Sequence, residues 1–197
     1  MVNIKKIIVD FDCTAFNTVK AITSLYNEDF SYYTDFEPVY WGNVKTWNFE
    51  ELKCAPEKYI DHYFNQPRFF RELEEMDMFF GASSILFDKC EIAFCTMGYT
   101  PNLRYKSIYL KERYPNYGFI GVNIKEYKDK SHIDMTDCIF IDDSVSNLNT
   151  SNAPIKILFG PRYEWNSEWD GIRCQTWDEV LDVITDMENN DKIRFKR

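Results

Sequence analysis

Histidine is nearly absent from this 197-residue sequence, with only His62 and His132, far apart along the chain. A two-histidine metal site or a Ser-His-Asp triad therefore has little support. The six cysteines (Cys13, Cys54, Cys90, Cys95, Cys138 and Cys174) contain no Cys-x-x-Cys pair. Cys13, Cys95 and Cys138 fall in or beside apolar runs, so buried free thiols in a reducing cytoplasm are expected rather than disulfides or zinc. No apolar run approaches the ~18 residues of a membrane span. The N-terminus enters an apolar strand without the charged, apolar and cleavage regions of a secretory signal, which again predicts a cytoplasmic protein. Positive charge is scarce too: 23 Lys and Arg stand against 32 Asp and Glu, for a net charge of −9. Stable nucleic-acid binding is not expected, because backbone phosphates demand an excess of Lys and Arg. A small anionic ligand needs only local positive charge and stays allowed. The sequence has no internal repeat and no low-complexity tract.

What is present is apolar and aromatic. Hydrophobic residues make up 45% and aromatics 17%, which excludes a disordered chain. The length suits one domain with an inserted subdomain and a substantial core. Residues 7–14, I-I-V-D-F-D-C-T, set an apolar run directly before Asp10 and Asp12. Such a run reads as a buried strand of a parallel sheet, and ligands gather at the carboxyl ends of such strands. Two carboxylates so close together repel unless compensated, for which a divalent cation is the usual partner.

Beyond this strand, Phe16, Val19, Ile22 or Thr23, and Tyr26 recur at helical spacing, predicting a helix over residues 15–27. Residues 30–52 are irregular and aromatic, with Pro38 and Gly42 inside. A helix is predicted over 56–64, with Pro56 near its first turn, and an acidic patch follows at Glu74, Glu75 and Asp77. From Gly81 strands and helices alternate. Helices are predicted over 82–89, over 101–114 between Pro101 and Pro115, and from the Thr176-x-x-Glu179 capping box through Met187. Strands are predicted over 91–95, 119–124, 138–141 and 155–159, and the tail 189–197 is expected to fray. This alternation predicts an α/β fold, a Rossmann-like parallel sheet flanked by helices. Residues 1–14 and 81–197 would form its core, and 15–80 a small, mainly helical cap inserted after the first strand.

Three of the apolar strands end in reactive polar residues: Asp10 and Asp12, Thr96, and Asp142 with Asp143. A loop carrying Lys125, Lys128 and Lys130 lies between the second and third. In a parallel sheet these ends converge on one crevice. Oxygen-only carboxylate ligands suit a hard cation, and Mg2+ with water and phosphate in its remaining positions fits best. An ammonium and a hydroxyl suit phosphate oxygens. The set matches phosphoryl transfer.

The chain resembles the haloacid dehalogenase (HAD) superfamily, whose four motifs match in order: D-F-D-C-T at 10–14, F-C-T at 94–96, a lysine, and I-D-D-S at 141–144. The resemblance implies that Asp10 is a nucleophile forming an aspartyl-phosphate. It implies that Asp12 protonates the leaving oxygen and then deprotonates the attacking water. Mg2+ would be held by the Asp10 carboxylate, the Asp12 main-chain carbonyl and Asp142. Thr96 and Lys130 would bind phosphoryl oxygens with backbone N–H groups near Phe11, Cys13 and Met97. Asp-Lys shortly before the last acidic strand favours Lys130, with Lys128 and then Lys125 as alternatives. Asp143 is expected in a supporting role.

A narrower likeness is to the 5'(3')-deoxyribonucleotidase family, which carries an inserted helical cap. Phe69-Phe70-Arg71-Glu72-Leu73 followed by Gly81-Ala82, then Ile157-Leu158-Phe159 and Thr176-Trp177, are similar to that family's features. The chain departs from it at Cys13, where most relatives have glycine, and over residues 30–52. The family implies a nucleoside monophosphate substrate. Aromatic rings bind nucleobases by stacking, and Tyr40, Trp41 and Trp47 are the candidates, with a purely structural role in the cap as the alternative for each. Other readings are a phosphatase of sugar phosphates or polynucleotide 3'-phosphate ends, and a non-catalytic binding protein on the same scaffold. The oligomeric state is open, a homodimer being allowed.

Overall fold

The computed structural model describes residues 1–56 and 58–196. Two short strands, β1 (Val2–Ile4) and β2 (Lys6–Val9), open the chain. Helices α1 (Thr18–Phe30), α2 (Tyr59–Tyr63), α3 (Pro67–Glu72) and α4 (Phe79–Phe87) follow. Alternation then begins with β3 (Glu91–Gly98), α5 (Thr100–Arg113) and β4 (Gly118–Asn123). It continues through β5 (Cys138–Asp142), α6 (Val145–Thr150), β6 (Ile155–Phe159) and β7 (Ile172–Cys174). The chain closes with α7 (Trp177–Asn189) and β8 (Ile193–Phe195).

Six strands form one parallel sheet in the order β4-β3-β2-β5-β6-β7. The chain builds outward from β2 to one side, then returns and builds to the other, so β2 sits at the topological switch point where α/β folds bind ligands. Register brings the motif ends together: Val9 pairs with Phe94 on β3 and with Ile141 on β5. Asp10 and Asp142 therefore leave neighbouring strands side by side, and Thr96 lies two residues beyond Phe94.

The sheet is covered on both faces, as the period-2 alternation of a strand requires. Ile7, Val9, Phe94, Ile139, Ile141 and Ile157 pack in one cluster with Leu86, Tyr109, Trp177 and Val180. Ile8, Cys95, Phe140 and Leu158 point the other way and pack with Leu148, Met135 and Ala153. All six cysteines are free thiols, and only Cys54 is not fully buried.

Several elements differ from the sequence expectation. Helix α1 begins at Thr18, not 15, because residues 11–16 close a turn of their own. In that turn Phe16 N–H donates to Phe11 O at 3.0 Å and Cys13 N–H to Phe16 O at 2.8 Å. Asn17 then caps α1 by accepting from Lys20 N–H at 3.0 Å. Helix α2 is shorter than expected, and Glu57 of that predicted helix lies outside the described residues. The tail does not fray: β8 pairs in parallel with β1, although Arg197 lies outside the described residues. The capping box is altered, for the Glu179 carboxylate accepts from Gln175 N–H at 2.6 Å while Thr176 Oγ1 accepts from Glu179 N–H at 3.3 Å. Strands β1, β7 and β8 and helices α3 and α6 are too short to have declared themselves by periodicity.

Between β2 and α4, α1 packs against α3 and α2. Arg68 on α3 holds Asp29 on α1 through two hydrogen bonds, one of 2.6 Å, and Tyr63 adds a third at 3.0 Å. Residues 36–44 lie along α1, pinned by Asn27, whose side chain bonds both Val39 N–H and Val39 O at 2.9 Å.

Candidate active site

The turn after β2 is anchored on several sides. Asp10 N–H donates to Ile141 O at 2.9 Å and Met76 N–H to Ala15 O at 2.8 Å, while the buried Trp177 indole donates to Thr14 O at 2.9 Å. Cys13 adopts φ 54 in this turn. It takes the left-handed conformation that glycine fills without strain, so its Cβ does not prevent the turn from forming. Its N–H is engaged by Phe16 O, and Cys13 does not line the cavity described below.

Lys130 is fully buried between two carboxylates, bonding Asp10 closely and Asp142 at 2.6 Å. Of the three loop lysines this is the one brought into the acidic cluster; Lys128 stands exposed on the cavity wall, and Lys125 lies 5.8 Å from the centre of the Tyr99 ring. Burial alone would lower the Lys130 ammonium's pKa, but Asp10 and Asp142 outweigh it and raise it. Burial pushes the Asp10 carboxyl up to about 7, with Lys130 pulling it down and Asp142 and Asp12 pushing it up.

Asp142 is oriented by α6, accepting from Ser144 N–H at 2.8 Å and from Asn147 Nδ2 at 3.1 Å. Asp143 is buried and accepts from the Trp165 indole at 2.8 Å. Burial, then Asp142 and Asp10, raise its pKa well above the carboxylate range. Ligand oxygens of Asp10, Asp142 and Asp143 all lie within 4.8 Å of one another. A compact all-carboxylate set of this kind fits a hard divalent cation such as Mg2+.

Asp12 turns away from that cluster. Its carboxylate accepts from Thr18 at 2.8 Å and pairs with Lys106, whose ammonium also bonds Thr96 Oγ1 at 2.8 Å and Met97 O at 3.3 Å. Thr96 is buried, with its Oγ1 3.5 Å from Asp12. Lys106 was missed in the sequence, though a signal existed. Asn102, Lys106, Tyr109 and Leu110 form the buried side of α5, and a lysine on the inward face of a helix demands a partner.

Asp10, Asp12, Lys106, Lys130 and Asp143 line a cavity of about 400 Å3. Aromatic rings line the same cavity, Trp47, Phe64, Tyr99 and Trp165, the last against Asp143 itself. Trp47 meets Trp165 edge-on at 5.7 Å and lies 6.2 Å from Phe64. Of the three aromatic candidates only Trp47 lines this cavity. Tyr40 and Trp41 pack on each other at 5.4 Å, Tyr40 largely exposed and Trp41 against the core beside α1.

Against known proteins, a family model described as 5' nucleotidase, deoxy (pyrimidine), cytosolic type C protein matches residues 3–189. No curated protein matches by sequence. Similar solved structures include a haloacid dehalogenase-like hydrolase from Streptococcus pneumoniae, 15% identical with a TM-score of 0.64, covering 92% of this chain and 98% of that one. The HAD-hydrolase YfnB from Bacillus subtilis, bound to magnesium, is 11% identical with a TM-score of 0.57, covering 92% and 99%. CbbY from Rhodobacter sphaeroides, in complex with phosphate, is 14% identical with a TM-score of 0.55, covering 90% and 96%. At these identities the three structures speak for the fold.

Proposed function

The chain belongs to the 5' nucleotidase, deoxy (pyrimidine), cytosolic type C family, a phosphoric monoester hydrolase of the HAD superfamily, and from that premise we propose that it is a Mg2+-dependent phosphatase of deoxyribonucleoside monophosphates. The observation that carries this reading is a single cavity lined both by buried carboxylates and ammonium groups and by aromatic rings. Such a cavity suits a ligand that is a dianion at one end and a flat ring at the other.

In this reading the Asp10 carboxylate attacks phosphorus, forming the Asp10–phosphorus bond as the bond to the nucleoside oxygen breaks. Asp12 gives its proton to that departing oxygen. It then takes a proton from the water that attacks the aspartyl-phosphate, releasing phosphate and restoring Asp10. Thr96, Lys106 and the Met97 N–H hold phosphoryl oxygens, while Lys130 neutralises Asp10 and Asp142. Asp10, Asp142 and the Asp12 carbonyl, with Asp143 in support, would hold Mg2+, which when bound offsets charge on the phosphoryl oxygens. Residues 15–80 act as the cap that admits substrate, with Trp47 as its stacking ring. The working compartment in this reading is the cytoplasm, and the role is control of the nucleotide pool.

The test is phosphate release from deoxy- and ribonucleoside monophosphates, glucose phosphates and 3'-phosphorylated oligonucleotides, each with Mg2+ or EDTA. Release should require Mg2+, favour deoxynucleotides and vanish in Asp10→Asn. Activity surviving EDTA or that substitution refutes the mechanism. Equal rates on glucose phosphates refute the substrate assignment while leaving a phosphatase.

A further inference from the structure

Asp10, Asp142 and Asp143 gather in one acidic cluster, but their charges are not met alike. Lys130 lies between Asp10 and Asp142 and bonds both. Among the described residues no ammonium or guanidinium pairs with Asp143, which is 6% exposed. Its Oδ2 instead accepts from the Trp165 indole N–H at 2.8 Å. An indole donates a single hydrogen bond and carries no charge, so it orients a carboxylate without neutralising it. A buried carboxylate left ionised in this way calls for a cation.

Trp165 is itself held on several sides. Its ring stacks on Tyr163, with centres 4.0 Å apart and planes 6° from parallel, and Trp47 meets it edge-on. The turn that carries it is closed by the buried Asn166. Asn166 Oδ1 accepts from Tyr163 N–H and its Nδ2 donates to Pro161 O, each at 2.9 Å. Arg173 braces the Asn166 carbonyl from β7, and Glu164 N–H donates to Lys45 O at 3.1 Å. The direction of the indole N–H is thus set by packing before any ligand arrives.

We propose that Trp165 is a positioning residue for the metal: its N–H holds one oxygen of Asp143 and leaves the other turned to a cation shared with Asp10 and Asp142. The proposal rests on the Mg2+-dependent reading above. The cation then meets the one charge of the cluster that Lys130 leaves unpaired. Groups that orient a metal ligand are typically worth about 10–100-fold in metal affinity.

The test is calorimetric titration with Mg2+ alone, without substrate, on wild type, Trp165→Phe, Asp143→Ala and the double variant, with folding checked by circular dichroism. Phenylalanine keeps a ring beside Tyr163 and Trp47 and removes the N–H. Trp165→Phe should weaken Mg2+ binding about tenfold. In the Asp143→Ala background the same substitution should change it by less than about twofold, because the group it acts through is gone. Trp169→Phe is the control. That indole donates to Ile172 O at 2.9 Å and does not line the cavity, so Mg2+ affinity should stay as in wild type. Unchanged affinity in Trp165→Phe overturns the proposal, as does a loss that persists undiminished without Asp143. An equal loss in Trp169→Phe also overturns it, since it marks a merely structural role. Should Trp165→Phe not fold, the wild-type Trp165 indole N–H resonance, assigned through its contact with Tyr163, decides. It should shift when Mg2+ is added, and a resonance that does not move overturns the proposal. A wild type that binds no Mg2+ overturns the Mg2+-dependent reading as well, whereas wild-type binding with an unchanged Trp165→Phe leaves that reading standing.

Discussion

At the scale of single residues, the two lysines on the cavity wall other than Lys130 occupy opposite environments. Lys106 is buried and touches Asp12 and Thr96, while Lys128 is exposed on the cavity wall. A donor held in a dry site against the reacting groups acts on the transition state, and its removal costs roughly 10²–10³ in kcat. A solvated charge at the rim acts on encounter and is screened by salt. Lys106→Met should therefore lower kcat by about that factor with little change in KM. Lys128→Met should raise KM less than tenfold and flatten its dependence on ionic strength. Steady-state kinetics at two salt concentrations decide this, and the reverse pattern would reassign the two roles. Asp10, Asp12, Thr96, Lys130, Asp142 and Asp143 were legible in the sequence because each stands at a strand end or in a loop with recognisable spacing. Lys106 was hidden in the middle of a charged helix, and only the inward face it shares with Asn102, Tyr109 and Leu110 betrays it. Tyr40 and Trp41 do not line the cavity, and aromatic composition does not say which way a ring points.

At the scale of elements, the packing of α1 on α3 rests on an ion pair as well as on apolar surface. Hydrogen bonding to Arg68, opposed by partial burial and assisted by Tyr63, holds the Asp29 carboxyl below its ordinary pKa of about 3.8. A carboxyl depressed in the folded state contributes stability above its unfolded pKa, and that contribution is lost as pH falls through the folded value. Asp29→Asn should therefore destabilise the protein by about 1.5–3 kcal/mol at neutral pH, the range for hydrogen bonds to charged groups. The gap between variant and wild type should hold from pH 7 down to about 4 and close below it. Urea unfolding across that range measures it, and a gap independent of pH would mean that shape rather than charge matters at this position. The central strands β2, β3, β5 and β6 were readable as continuous apolar runs, and α7 because its apolar residues repeat with the period of a helix. Helix α6 was not, since its six residues give less than two turns. Yet α6 and its N-cap residue supply the Asn147 amide and the Ser144 N–H that orient Asp142.

At the scale of the whole molecule, the two ends of the chain are tied to the strand that carries the candidate nucleophile. Strand β8 pairs with β1, Val2 opposite Ile193 and Ile4 opposite Phe195. Further bonds run from Val2 N–H to Lys192 O and from Lys196 N–H to Ile4 O, each 2.8 Å. Only Lys5 separates β1 from β2, and Lys89 pairs with Glu188 at 2.5 Å, joining the end of α7 to the region after α4. Ile4 is fully buried and Ile193 is 2% exposed, so this closure belongs to the core although its strands are three residues each. Charge offered no hint of it in the sequence, where the polar, Lys- and Arg-rich end reads as a solvated tail. Removing a buried isoleucine side chain down to alanine costs about 2–5 kcal/mol. For a domain of this size each kcal/mol lowers the melting temperature by about 2–4 °C. Ile193→Ala should therefore lower the melting temperature by roughly 5–15 °C. Because Ile193 does not line the cavity, kcat/KM measured well below the transition should stay within about twofold of wild type. Differential scanning calorimetry and phosphate release on the same preparation test both halves. An unchanged melting temperature would mean that β8 is not held against β1 in solution, whereas a loss of activity in the folded variant would mean that this closure positions Asp10 through β2.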